Sequence, residues 1–322
     1  MSTATERDAA AVGAASAGPT GSVPTSRRRA GSRLREGRAA WVLALPFLLI
    51  FLVFTVWPVL QSLFMSFTDT KAKDLRSPFS VDIVGIENYT RAFSDETFLR
   101  AARNTAYFVV VGVPLTLVLG LAAAVALDRG ITKFRSAFRL GFYTPVVTSI
   151  VAVAVVWQFL LQQDFGLINT VLGWFGIPGP NWLGDPNWSM PALIMMAAWR
   201  NFGTGMIIFL AGLQAVPAEL HEAAAIDGAG AVKRFRHVTL PLLRPTLLFV
   251  MVTTSIGYLQ VFEEPFVMTQ GGPLNSTITV TYNTYQQFGF GNYGLASAMS
   301  YLIFVVIAIV TALQFRLLRE RS

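Results

Sequence analysis

The sequence predicts an all-α integral membrane protein with six transmembrane helices. Its 322 residues are 53% hydrophobic and only 13% charged, whereas about a quarter of the residues of a soluble domain are charged. Six apolar stretches each reach the roughly 20 residues that a helix needs to cross the hydrocarbon core of a bilayer. They lie near residues 40–67, 104–127, 140–161, 190–215, 242–266 and 293–315.

Proline and glycine interrupt several of these stretches. A proline removes one backbone hydrogen bond from a helix, and neighbouring helices in a membrane can satisfy the groups that it frees. We therefore expect kinks rather than the end of a span at each of these places. The interrupting residues are Pro46, Pro58, Pro114, Pro145, Gly203 and Gly205.

Residues 1–38 form a separate region by composition. They are rich in Ala, Gly, Ser, Thr and Arg and almost devoid of large apolar side chains, which predicts a disordered cytoplasmic tail. Arginines before an apolar run also resemble a secretory signal, but the run from Trp41 to about Phe67 is too long for a signal-peptide core and suits a retained span. Residues 39–322 are expected to form the six-helix transmembrane domain.

The distribution of Lys and Arg predicts the orientation in the membrane. Eighteen lie in the N-terminal tail, in 128–139, in 216–244 and in 316–322, whereas six lie in the intervening loop after the first span. Since cytoplasmic loops carry the excess of basic residues, both termini and the segment 216–241 are predicted to be cytoplasmic. The remaining basic residue, Arg200, falls inside the fourth span.

The composition also limits the chemistry of the chain. There is no cysteine and there are only two histidines, so a disulfide, a thiolate nucleophile or a His/Cys metal site is not expected. The net charge of +7 is explained by membrane topology rather than by nucleic-acid binding. No nucleophile, base and orienting group can be assembled from the sequence, and the chain is predicted not to be an enzyme and to hold no cofactor of its own.

The polar segment 216–241, between the fourth and fifth apolar stretches, is predicted to fold as helix, turn and helix. Pro217 can open a helix, and Glu219 with Glu222 places negative charge in its early turns. Three successive alanines then give a narrow, strongly helical face. Gly228 and Gly230 can end this helix before a second one around 231–238. A small-residue face flanked by Glu222 and an aspartate suits a partner protein; an amphipathic loop on the membrane surface is the alternative.

This segment resembles the "EAA" loop of the permease subunits of bacterial ATP-binding-cassette (ABC) importers. In that family the loop docks on a separate ATPase and transmits its ATP-driven closure to the membrane spans. The resemblance implies a type I ABC importer permease fold in which 216–241 is the coupling segment. It also implies that six residues of this segment contact the ATPase, namely Glu222, Ala223, Ala224, Asp227, Gly228 and Ala229. The matching residues are Glu222, Ala223, Ala224, Asp227, Gly228, Ala229, Leu240 and Pro241.

The resemblance extends from about residue 40 to the C-terminus. It includes Gly85–Tyr89, Asn104–Thr105 and Phe209–Gln214, and the run Val267–Pro273 resembles the signature of the sugar-permease branch. The implied protein is the maltose-type "F" half of a heterodimer in the bacterial cytoplasmic membrane. Its implied partners are a second permease subunit, a homodimeric ATPase that binds ATP and Mg²⁺, a solute-binding protein that delivers the sugar, and membrane lipid.

The ATPase must be another polypeptide. A Walker A loop needs a Gly-Lys pair followed by Ser or Thr, whereas the four lysines of this chain follow Thr70, Ala72, Thr132 and Val232. The energy for transport is therefore expected from a partner chain.

The same resemblance places sugar-contact positions on the fourth and fifth spans. It implies Arg200, Asn201 and Thr204 on the fourth, and Thr254, Tyr258 and Val261 on the fifth. Gln260, like Tyr258, offers groups that suit a hydroxylated ring, although both could equally pack helices together.

Arg200 is the most informative of these residues, because a charge inside a span costs about 2.5 to 3.5 kcal/mol on insertion scales and usually faces a cavity or a partner. A pathway role and a structural pairing with Glu263 or Glu264 are both open. A pathway role also leaves a second cargo open, since Arg200 would attract glycerol phosphate or a related anion; another polyol is a further cargo of the same kind. An ion-coupled carrier would need intramembrane acids, of which the spans offer only Glu263 and Glu264.

Overall fold

The computed structural model describes residues 41, 43–76, 81–130 and 134–318. Regular structure in these ranges is helical, apart from one isolated antiparallel bridge between Thr68 and Ile83. The contacts divide the chain into two units, Met1–Trp57 and Pro58–Ser322. The predicted disordered tail, residues 1–38, lies outside the described residues and stays a prediction.

The helices are numbered here in chain order. The first six are α1 (Leu43–Ser66), α2 (Glu87–Ser94), α3 (Glu96–Val125), α4 (Arg135–Val147), α5 (Ile150–Leu160) and α6 (Leu167–Trp174). The others are α7 (Pro186–Gln214), α8 (Ala218–Ile226), α9 (Ala231–Leu242), α10 (Arg244–Leu259), α11 (Glu263–Met268), α12 (Val280–Gly289) and α13 (Tyr293–Leu318).

Within the described ranges, four helices are long and apolar enough to cross a membrane, namely α1, α3, α7 and α13. Two further pairs, α4 with α5 and α9 with α10, pass the same test together but are bent by 100° and 68°. Length and composition therefore give four spans, or six if each bent pair is one span.

The third and fifth stretches are not the simple spans that the sequence predicts. The third breaks at Thr148 and Ser149, where the backbone becomes extended, three residues beyond the expected kink at Pro145. The fifth was expected to run to 266, but α10 ends at Leu259 and the chain turns before continuing as α11. Hydropathy detects the apolar length of a segment but not the turns within it.

Helix α7 runs unbroken through Gly203 and Gly205, so neither glycine ends the helix, and the kinks expected there stay a prediction. A side chain at Gly203 would collide with the backbone carbonyl of Phe142 in α4, and one at Gly205 would approach Val250 of α10. The two glycines thus permit close helix packing and leave the helix intact.

Helix α7 is the centre of the second unit, with α3, α4 and α10 all packed against it. Its closest neighbour is α3, where Gly120 meets the backbone of α7: an added Cβ would lie 3.1 Å from the Phe202 carbonyl oxygen and 3.2 Å from the Met206 nitrogen. Since lipid is as apolar as the side chains, such close van der Waals packing is what holds membrane helices together.

The N-terminal part of α3 also braces the loop that precedes α12. Asn104 donates from Nδ2 to the carbonyl oxygens of Asn275 (3.0 Å) and Ile278 (2.9 Å). The neighbouring Thr105 accepts a hydrogen bond from the backbone nitrogen of Val280 at 3.0 Å. These contacts give the Asn104–Thr105 pair a structural role.

A Gly120→Ala substitution is expected to destabilise the protein by about 1 to 3 kcal/mol, because the added methyl group meets backbone atoms that cannot rotate away. The measurement is the thermal midpoint of the detergent-solubilised chain. Gly141→Ala is the matched control: Gly141 lies in α4 with open space around it, and alanine is the better helix former. Equal midpoints for the two variants would contradict the packing described here.

Candidate functional site

A cavity of about 290 Å³ lies between α7, α10 and α11, with Ile150 of α5 at its edge. Six of the seven residues predicted for the transport pathway line it: Arg200, Asn201, Thr204, Thr254, Tyr258 and Val261. The seventh, Gln260, is the exposed residue that follows α10 and does not line the cavity.

The lining residues lie on one stripe of each helix. They recur at intervals of three or four residues, the spacing that places side chains on one helical face. Sequence reasoning missed five members of these stripes, although counting one turn either way from Thr204 or Thr254 would have found most of them. The missed members are Gly205, Ile208, Val250, Thr253 and Gly257.

Arg200 is the cation of this cavity. Its side chain is half-buried, and its Nε is buried without a hydrogen-bond partner. Glu263 and Glu264 line the same cavity, yet in the part of the chain that the structure describes no ion pair joins either carboxylate to Arg200. The structural pairing that the sequence left open is thus not formed, and Arg200 lines the cavity without an ion-pair partner among the described residues.

Tyr258 forms a fixed wall of the cavity. Its side chain is only 5% exposed, and its ring packs edge-on against Phe108 at 5.0 Å and over Gly112. The hydroxyl lies 2.7 Å from Oγ1 of Thr116. Because Thr116 donates its one hydroxyl proton to the Gly112 carbonyl at 2.9 Å, Tyr258 is the donor to Thr116. The tyrosine therefore combines the packing role and the cavity-lining role that the sequence offered as alternatives.

The short helix α11 is anchored so that its first turn borders the cavity. Gln158 of α5 donates from Nε2 to the carbonyls of Val267 and Met268, both at 3.0 Å. Just before α11, the Val261 carbonyl accepts from Thr279 Oγ1 at 2.8 Å. These bonds hold both ends of the segment that carries Glu263, which is exposed, and Glu264, which is 5% exposed.

The coupling segment, residues 216–241, folds as the predicted helix, turn and helix. The first helix is α8, and the second begins at Ala231 and includes a π-helical turn at Phe235–Thr239. Pro217 was expected to open the first helix; it lies one place earlier, as the residue that caps it.

The backbone conformation of the turn after α8 requires glycine and small residues. Gly228 has a φ of +75° and donates from its nitrogen to the Ala225 carbonyl at 3.0 Å, while the nitrogen of Ala229 donates to the Ala224 carbonyl at 2.9 Å. These two bonds define a Schellman motif, in which glycine adopts the left-handed conformation just past the helix end. The chain reverses sharply at this point.

None of the residues of α8 is buried. Glu222, Ala223, Asp227 and Gly228 are exposed, and Ala224 and Ala229 are partly exposed. Two apolar side chains on either side of the turn are also exposed, Ile226 at 87% and Val232 at 82%. The sequence prediction did not include this pair, although apolar residues inside a polar loop are the expected mark of a contact surface.

The described residues contain no group of three or more His, Asp or Glu side chains that could hold a metal ion. The two features that the structure does provide are a polar cavity between membrane helices and an uncovered helix at the end of one of them. Both features are compatible with a membrane transport protein.

Two chains of known structure share the fold. One belongs to a bacterial ABC transporter involved in the import of the acidic polysaccharide alginate; it has a TM-score of 0.75, is 23% identical, and the match covers 91% of this chain and 99% of that one. The other comes from the alginate transporter in complex with its pentasaccharide-bound periplasmic protein, with a TM-score of 0.74 and 24% identity. The fold of this chain is that of an ABC importer permease.

The family model described as "binding-protein-dependent transport system inner membrane component" matches residues 97–321, and the chain belongs to this family. It is 35% identical to the lactose transport system permease protein LacF of Rhizobium radiobacter, over 88% of this chain and 94% of the relative. It is 32% identical to the trehalose/maltose permease protein MalF of Thermococcus litoralis, over 90% and 96% respectively. The chain is thus an inner-membrane transport subunit and not an enzyme, as the sequence predicts.

Tyr258→Phe is expected to lower the free energy of unfolding by about 1 kcal/mol, because one hydrogen bond to Thr116 is lost while the ring stays in place. Tyr258→Ala should cost about 3 to 5 kcal/mol, since it empties the space between Phe108 and Gly112. Thermal midpoints in detergent measure both, with Tyr285→Phe on a half-exposed ring as the control. If the Phe and Ala variants were equally unstable, the ring packing would not be the main contribution of Tyr258.

Proposed function

We propose that this chain is the transmembrane subunit of an ATP-driven ABC importer that takes up a sugar, a di- or oligosaccharide, delivered by a solute-binding protein. The observation that carries the proposal is the cavity between α7 and α10, because these are the two helices that the coupling segment joins. Relatives named for lactose, for trehalose and maltose, and for arabinooligosaccharides support a sugar as the cargo.

The lining of the cavity suits a hydroxylated ring. Arg200, Asn201, Thr204 and Thr254 supply hydrogen-bonding groups on two facing helices. Tyr258 adds a rigid aromatic wall. The volume of about 290 Å³ is close to the lower end of the range of about 300 to 1,000 Å³ for small-molecule sites, which fits one or two sugar units at a time. The role of Gln260, outside this lining, stays a prediction.

The coupling segment supplies a direct mechanical link to the cavity. Only residues 215–217 separate the end of α7 from α8, and α9 leads into α10 across a single bend. A displacement of α8 therefore acts on both walls of the cavity. In this proposal α8 docks in a cleft of the ATPase through Glu222, Ala223, Ala224, Asp227, Gly228 and Ala229, and closure of the ATPase switches the cavity between the two sides of the membrane.

The proposed arrangement is a type I importer fold with six spans and both termini in the cytoplasm. The excess of basic residues on the side of the coupling segment supports this orientation. The full transporter would contain a second permease subunit with its own coupling helix, two copies of the ATPase that bind ATP and Mg²⁺, and the solute-binding protein on the opposite face.

A second candidate cargo is glycerol phosphate or another polyol. It is favoured by the unpartnered Nε of Arg200 and by a relative of this chain, 32% identical, named as the sn-glycerol-3-phosphate permease UgpA of Agrobacterium fabrum. Competition of uptake by phosphate esters would support it. An ion-coupled carrier, a weaker alternative, would lose uptake with an uncoupler, whereas ATP-driven uptake would persist.

Glu222→Lys is expected to abolish ATPase association and transport while leaving membrane insertion intact, because it reverses the charge on an exposed face of α8. Co-purification of the ATPase with the tagged chain and ATP-dependent uptake are the measurements. Asp164→Lys, the same reversal on an exposed residue of the outer loop, is the control. Normal uptake by the Glu222→Lys transporter would contradict the coupling role.

Thr204→Trp is expected to block uptake without affecting assembly. The side chain of Thr204 lines the cavity, so the large ring of tryptophan at this position would fill it. Ile207→Trp is the matched control, since Ile207 lies three residues further along α7, is 42% exposed and does not line the cavity. Sugar uptake and ATPase co-purification are compared for both variants. Full uptake by Thr204→Trp would show that cargo passes elsewhere.

A further inference from the structure

The charge of the cargo is not decided by membership of the family. Chains similar to this one are named for neutral sugars such as lactose, for an anion, glycerol 3-phosphate, and, among the solved structures, for an acidic polysaccharide. The charge that the cavity accepts must therefore be inferred from the side chains that line it.

Three charged side chains line the cavity, and they do not favour an anion. Arg200 contributes one positive charge, whereas Glu263 and Glu264 are both acidic. The exposed Glu263 balances Arg200 by itself, and Glu264 adds a second negative charge whenever it is ionised. The cavity is thus neutral or negative, although Arg200 alone would have predicted a positive site.

The two acidic residues are held at the cavity by the fold. Gln158 binds the carbonyls of Val267 and Met268 at the far end of α11, and the nearby Pro265 is buried, so the backbone that carries Glu263 and Glu264 is fixed beside the cavity. The apolar lining residues Ile150 and Val250 add low-dielectric walls, in which charges act more strongly than in water.

We infer that this cavity selects uncharged cargo, and that Glu263 is the residue that rejects anions. The inference rests on the proposed function and deepens it. Arg200 then acts as a hydrogen-bond donor to sugar hydroxyl groups, a role for which its five N–H groups suit it, rather than as the counter-ion of a phosphate or a carboxylate. A cargo with an added negative charge meets Glu263 at close range and is disfavoured.

The test compares matched neutral and anionic probes in the complete transporter. The assembled complex, with its solute-binding protein, is reconstituted in proteoliposomes, and initial ATP-dependent uptake is measured for lactose, maltose and trehalose. The same rates are measured for the uronic acid made from each sugar by oxidising one primary alcohol to a carboxylate. Because the solute-binding protein is the same in every variant, its own preference cancels when ratios of acid to neutral uptake are compared.

Glu263→Gln is expected to raise the ratio of acid to neutral uptake by on the order of tenfold, as removal of one nearby like charge predicts. Arg200→Gln should not raise it. Glu96→Gln, at the outer end of α3 and away from the cavity lining, is the control and should leave the ratio unchanged. Size-exclusion chromatography checks that each complex assembles.

Three results would count against the inference, and the first of them leaves the function on which it rests intact. Neutral uptake with an unchanged ratio in Glu263→Gln would overturn the charge selection alone. A complex that takes up the three acids but none of the three neutral sugars would overturn both the charge selection and the proposed neutral-sugar function. If no probe of either kind were taken up in the presence of ATP, the proposed sugar import would be contradicted, and the charge selection with it.

Discussion

The close packing of α3 against α7 is the interaction on which the rest of the structure depends. In a bilayer there is little hydrophobic driving force between helices, so association rests on backbones that approach closely over small residues. Gly120 allows this at the crossing of α3 and α7, and Gly112 allows the ring of Tyr258 to lie on α3. With α3 fixed, its N-terminal end braces the loop before α12, and its centre supports the aromatic wall of the cavity.

Helix α7 has the cavity on one side and α8 at its end. The glycines of α7 permit contact with α4 and α10, and the helix continues unbroken through them. The Schellman turn at Gly228 then sends the chain back into the membrane as α9 and α10. A continuous helix can carry a displacement from α8 to Arg200 and Thr204, which is the mechanical requirement of the proposed coupling.

Much of this arrangement could be predicted from the sequence, for identifiable reasons. Six of the seven residues predicted for the pathway line the cavity; the family resemblance placed them on the fourth and fifth spans, and helical periodicity puts them on one face of each helix. The helix, turn and helix of the coupling segment follow from its alanines and glycines. The breaks at Thr148 and after Leu259 could not be predicted, since apolar length does not reveal a turn within an apolar stretch. Because α10 ends at Leu259, Gln260 does not line the cavity.

The most direct test of the central claim uses the absence of cysteine from the chain. A single Thr254→Cys substitution places one thiol on the α10 wall of the cavity, and a membrane-impermeant thiol reagent is applied to either side of proteoliposomes that contain the complete transporter. The account predicts that the thiol reacts from the side of the coupling helix without nucleotide, and from the opposite side when ATP is bound but not hydrolysed. Labelling that is the same from both sides in both conditions would contradict a cavity driven by α8.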